Sequence, residues 1–317
     1  MKGWWLLLAP VLLAQTAAVA QAPAADPAAQ VGAWSARFLK AVEAPNQVTA
    51  RCAPTLNAAI GAVRDAATAR AAIARVRPCG DQIRAAYAGI DAPLAAIGPL
   101  PPEIEAATGF SSSRFIADHR RLAAATVAHI DDVNRLLDAV ASGKRAGLPE
   151  LAARVRAGGG ALIDGNILLL RLQQSASRMA FTQPMFEIRL VLAEAGKALL
   201  TSAVSTAGVE VGPRMRALAA RARTAVPAIK TAWEQESANF RKLGPDPTIA
   251  RVLAAGTQLS GDFAGRGTDL ADLLERAGRQ PLLGTAEATR LSTDLNAIEL
   301  DLLRSGQAFA AAIQARN

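Results

Sequence analysis

The 317-residue chain predicts an all-α fold: an elongated multi-helix bundle of about eight or nine mostly antiparallel helices, either single or two stacked bundles. Three observations carry this. Apolar residues recur at spacings of 3 and 4 and never in a sustained alternation, the period of helices and not of strands. The composition is 51% hydrophobic but only 4% aromatic, rich in Ala and with Arg far outnumbering Lys, which suits helices packed closely through small side chains. Gly and Pro cluster at Gly98 to Pro102, Gly143 to Pro149, Gly208 to Pro213, Gly244 to Pro247 and Gly278 to Gly284, cutting the chain into segments of helical length. Each amphipathic segment must bury its apolar face against another, and short connections make neighbours antiparallel.

Residues 1–20 read as a secretory signal peptide. Lys2 supplies the charge, Trp4 to Leu13 form a short apolar stretch interrupted by Pro10, and Ala18-Val19-Ala20 is a small-x-small cleavage site before Gln21. The stretch falls short of the roughly 20 apolar residues a bilayer-spanning helix needs. A periplasmic or secreted protein with no transmembrane segment after leader removal is therefore expected. Removing twenty residues from 317 leaves 297, enough for one large or two modest domains.

After Asp26 and Pro27, an N-cap and first helical residue, Val31, Trp34, Phe38, Leu39 and Val42 mark a first helix. Cys52 and Cys79 are the only cysteines, and an oxidising compartment favours their pairing. One straight helix from Pro54 to Arg77 would hold them about 36 Å apart, whereas a disulfide needs Cα atoms within about 7 Å. The pairing thus requires a hairpin turning near Asp65 to Thr68, with either residue capping the returning helix. Ile83, Tyr87, Ile90, Leu94 and Ile97 form a heptad-like seam ended by the proline cluster. These boundaries suggest a small N-terminal helical part over 21–97, a Pro/Gly-rich linker over 98–111 and a C-terminal helical bundle over 112–317.

Ser112 to Ala141 is the best long helix. Ala161 to Ala180, apolar around most of its circumference, reads as a central helix. Further helices are expected over Met185 to Val204, Met215 to Phe240, Ile249 to Leu274 and Leu291 to Ile313. Gly256, Gly261, Gly265 and Gly267 argue against the penultimate one as a single rod.

The formal charge of +8 becomes +7 when Lys2 leaves with the leader. Basic residues interleave with Asp and Glu along the helices, as on any solvated face, and no block of five like charges exists. Export points away from nucleic acid and towards a protein partner or an anionic envelope surface such as lipid headgroups or phosphorylated glycans.

Both histidines lie on the long helix. His119 falls at the middle of the face made by Phe115, Leu122, Thr126, Ile130 and Val133 and should point inward, whereas His129 lies near the edge beside Asp132. About 15 Å of helix separates them, too far for one metal. On the presumed central helix Asp164, Arg171 and Arg178 mark a solvent edge, with Asn166, Gln173 and Ser177 pointing the opposite way. Amides on an inner face need partners, from other helices or from a polar ligand. Catalytic signatures fail: Gly109-Phe110-Ser111-Ser112-Ser113 is an N-cap rather than a nucleophile elbow, and Gly158-Gly159-Gly160 and Ser142-Gly143-Lys144-Arg145 lack phosphate-loop spacing and a preceding strand.

The expected function is that of an exported, non-catalytic helical bundle acting as an interaction or scaffold component of the cell envelope, with no cofactor or metal. The alternative is a small-molecule-binding module with a pocket between helices near His119, Asn166 and Gln173.

Overall fold

A computed structural model describes residues 27–176, 180–202, 211–280 and 282–314. The signal peptide expected over residues 1–20, Ser177 and Arg178 lie outside the described residues. Ten helices and no strand occur among the described residues: α1 (Pro27–Gly61), α2 (Ala66–Ala88), α3 (Asp91–Ile97), α4 (Pro102–Thr108), α5 (Ser112–Ala141), α6 (Leu148–Ala176), α7 (Thr182–Ser202), α8 (Gly212–Arg241), α9 (Pro247–Gly278) and α10 (Thr285–Gln314). Eight are long and alternate in direction, each packing on the next long helix in the chain.

The breaks fall where backbone chemistry puts them. Asp65 caps α2 by accepting from the Thr68 N–H at 2.8 Å, and that bond holds its carboxyl below the usual range. Ser111 caps α5, and Asp246 caps α9. The stretch 98–111 holds more structure than a linker would. Pro102 opens α4 at a position where its missing N–H costs nothing, and Gly109, left-handed at φ 66°, closes it. Leu100, Ile104 and Phe110 are buried there against the same core as Trp34 and Phe115. The two seven-residue helices α3 and α4 account for the helices beyond the expected number.

Two hydrophobic cores form. The first joins α1 to α5 with Leu162 and Leu169 of α6, around an aromatic group in which Phe38 meets Phe115 edge-on at 4.6 Å between centroids. The second joins α7 to α10 with Leu170 of α6. α6 therefore belongs to both. The helix buried on nearly every side is α7, not the segment from Ala161 expected to be central; Met185, Ile188, Val191, Leu192, Ala195 and Leu199 are all inaccessible. Neighbours on several flanks (α6, α8, α10 and α9) enclose it, a property of tertiary packing that its own periodicity does not reveal.

Glycine decides how closely the helices approach. On α9, Gly256 lies under the Trp233 ring of α8 and Gly267 faces Val226 and Ile188, whereas Gly261 and Gly265 face open space. α9 is a continuous 32-residue helix despite all four glycines, because packing against α8 outweighs their cost of about 1 kcal/mol each.

The fold-back that the cysteines required is present, but the disulfide is not. Both cysteines are free thiols, and Cys52 Sγ points at the Cys79 carbonyl oxygen 3.7 Å away. Cys52 is buried on α1 and Cys79 half-buried on α2, so the hairpin brings them together while the sulfur is turned to backbone.

Candidate functional site

His119 points inward, as its helical position requires. It is 2% exposed, its ring stands edge-on to Phe38 with centroids 5.2 Å apart, and burial lowers its pKa to about 4. Neither ring nitrogen has a hydrogen-bond partner among the described residues. Asn166 is buried on α6, on the face of Leu162 and Leu169, while Gln173, two turns further along, is half-buried. No hydrogen bond joins His119 to either amide. Asp164 and Arg171 are exposed as expected and bridge to α7, Asp164 accepting from Lys197 at 2.5 Å and Arg171 donating to Glu194 at 3.2 Å.

His129 is not at the edge. It is 4% exposed, and burial takes its pKa to about 4 against the opposing pull of Asp132. The reason is the triple glycine, which lies inside α6 and is no loop: a Cβ on Gly158 would stand 2.7 Å from His129 Nδ1. Gly165 makes the same kind of notch one heptad later, for Leu122. The absent side chains let α6 close over a flank of α5 that would otherwise meet water.

The serine cluster is likewise structural. Ser112 and Ser113 donate their backbone N–H groups to Glu105 Oε1 at 2.7 and 3.2 Å, and the Ser112 hydroxyl accepts from the Leu100 N–H at 2.7 Å. These bonds fasten α4 to the start of α5. Among the described residues no group of three His, Cys, Asp or Glu side chains is placed to hold a metal, and no helix is long and apolar enough to cross a membrane.

Three polar features escaped sequence reasoning. The buried Tyr87 hydroxyl of α2 lies between Thr49 of α1 and Thr126 of α5, 3.5 Å from the Thr49 oxygen. Asn46 is buried on α1 with both amide atoms unpaired among the described residues. Arg189 of α7 and Glu299 of α10 form an ion pair at 3.2 Å in the second core, with side chains 2% and 7% exposed. Glu299 carried a signal in the sequence, since it lies amid Leu295, Ile298, Leu302 and Leu303.

The fold and these sites define an all-α helical-bundle protein with polar groups, among them an ion pair, buried between its helices. No family model matches the chain, and no curated protein or solved structure matches it either.

Proposed function

We propose that the protein is an exported, non-catalytic component of the cell envelope that acts by interaction. The observation that supports this most is where the chemically versatile residues are used. Both histidines are kept neutral inside the bundle, the serines at 111–113 fasten α4 to α5, and the glycine run forms a packing notch. Each of these groups sits where helices meet and contributes to holding them together. The leader motif at Ala18 to Gln21 supplies the location, and the excess of Arg and Lys favours an anionic envelope surface or a protein partner.

In an oxidising compartment Cys52 and Cys79 are the pair to be joined, two thiols giving two protons and two electrons to a disulfide donor. Fractionation, intact mass and crosslinking in whole envelopes test the proposal. The expected result is a chain beginning at Gln21 in the envelope fraction, crosslinked to a macromolecular partner; full-length chain in the cytoplasm overturns it.

A second reading, a small polar ligand held in the first core, draws on the unpaired ring nitrogens of His119 and the unpaired amide of Asn46. Native mass spectrometry decides it, through a stoichiometric small molecule on the purified protein.

A further inference from the structure

The up-and-down topology gathers at one end of the molecule the α1–α2, α5–α6, α7–α8 and α9–α10 connections. Several contacts fix this. Arg70 of α2 donates to the Ala141 carbonyl at the end of α5 at 3.0 Å, Gly159, the twelfth residue of α6, faces Leu200 near the end of α7, and Arg216 of α8 donates to the Gly278 carbonyl at the end of α9. Arg64, Arg70, Lys144, Arg145, Arg214 and Arg276 all lie at this end, and all are exposed. None of the six forms an ion pair among the described residues.

Of the acids at the same end, Asp138 pairs with Arg77 and Glu275 with Arg279, and three others are engaged by helix N-termini. Asp65 caps α2, Glu150 occupies the first turn of α6, and Glu287 accepts from the Gly284 N–H at 3.0 Å ahead of α10. Towards the opposite end Arg120 pairs with Asp91, and Arg114 and Arg121 with the buried Asp118. Arg37, Lys40, Arg241 and Lys242 towards that end are exposed and form no ion pair among the described residues. Leu282, 52% exposed, lies in the α9–α10 connection of the basic end, and Leu243, 70% exposed, in the α8–α9 connection of the other.

The geometry points to this basic end as the face that docks on an anionic phospholipid surface. Guanidinium and ammonium groups without a carboxylate partner, displayed from several connections at one end, suit a surface of phosphate headgroups, and cations near such a surface add their attractions. An exposed Leu among them adds a small apolar contact with the interfacial region. The choice of phospholipid rests on the export reading above; the basic face itself does not.

Co-sedimentation of the mature protein with phosphatidylcholine vesicles, with and without phosphatidylglycerol, tests this. The protein is expected to pellet only with the anionic vesicles and to be released by high salt, since exposed charges are screened. K144E/R145E, in a loop outside any helix, should weaken partitioning by about tenfold or more, as each cation near the surface contributes roughly a fivefold factor. R241E/K242E makes the same change in net charge at the other end and should leave partitioning intact.

Equal losses in the two variants would show that net charge and not this face is responsible, and would overturn the inference. So would the absence of pelleting with anionic vesicles, or binding to soluble polyphosphate without it. Cytoplasmic recovery of full-length chain would instead overturn export, and leave the vesicle comparison to judge the face.

Discussion

The His129 ring of α5 rests on Gly158 of α6, where a methyl group would meet Nδ1 at 2.7 Å. A histidine ring fixed between two helices cannot retreat as a flexible chain end would. Gly158→Ala should therefore destabilise the protein by about 1–3 kcal/mol, the usual effect of overpacking, even though Ala is the better helix former. Gly160, with nothing within 4 Å of its would-be Cβ, is the internal control, and Gly160→Ala should be neutral or stabilising by up to about 1 kcal/mol. Urea midpoints of the two variants check this, and equal midpoints would remove the notch from the account of why α5 and α6 pack.

The two buried histidines make the fold acid-sensitive. Burial takes both from the ordinary 6.5 to about 4, so the unfolded chain binds protons that the folded chain refuses. Their contribution is complete above pH 6.5 and is lost as the pH falls towards 4, on the order of a few kcal/mol for each. Asp132 opposes the shift at His129, and Phe38 gives His119 no such counter-charge. His119→Phe should flatten the dependence of stability on pH in that window. An unchanged slope in denaturation at pH 6.5 and pH 4.5 would show that His119 titrates normally.

How much of this was legible in the sequence depends on whether the cause was local. The turn at Asp65, the cap at Ser111 and the inward direction of His119 follow from dihedral preference and helical period, and each appears in the structure. The burial of His129, the continuity of α9 and the enclosure of α7 depend on which helix lies opposite, and one chain's periodicity holds no such information. Asn166 points inward as its helical position requires, whereas Gln173, seven residues on and expected on the same inner face, is only half-buried because α6 leaves the first core before reaching it.

Arg189 and Glu299 sit in the second core as a pair, and their prediction follows from desolvation. Glu299→Leu removes the carboxylate that faces the buried Arg189 guanidinium, at a cost of about 3 kcal/mol. Replacing both, with Met at 189 and Leu at 299, should recover most of that loss, since an apolar pair of similar volume has no desolvation to offset. Thermal unfolding of wild type, both single variants and the double variant gives the coupling. A double variant no more stable than the singles would mean that the ion pair supplies more than it costs to bury.

Trp34 lies in the first core and Trp233 in the second, and in a chain made to begin at Gln21, without Trp4 and Trp5, they are the only indoles. Helix α6 lends Leu162 and Leu169 to one core and Leu170 to the other, so neither core can lose its share of α6 without disturbing the helix on which the other depends. Unfolding should consequently be a single cooperative event. Single-tryptophan proteins made with Trp34→Phe and Trp233→Phe each report one core by fluorescence. After allowance for the small stability cost of each substitution, their urea transitions should coincide with each other and with helix loss by circular dichroism. Two separated transitions would show that α6 frays between the cores and that the bundle behaves as two independently stable halves.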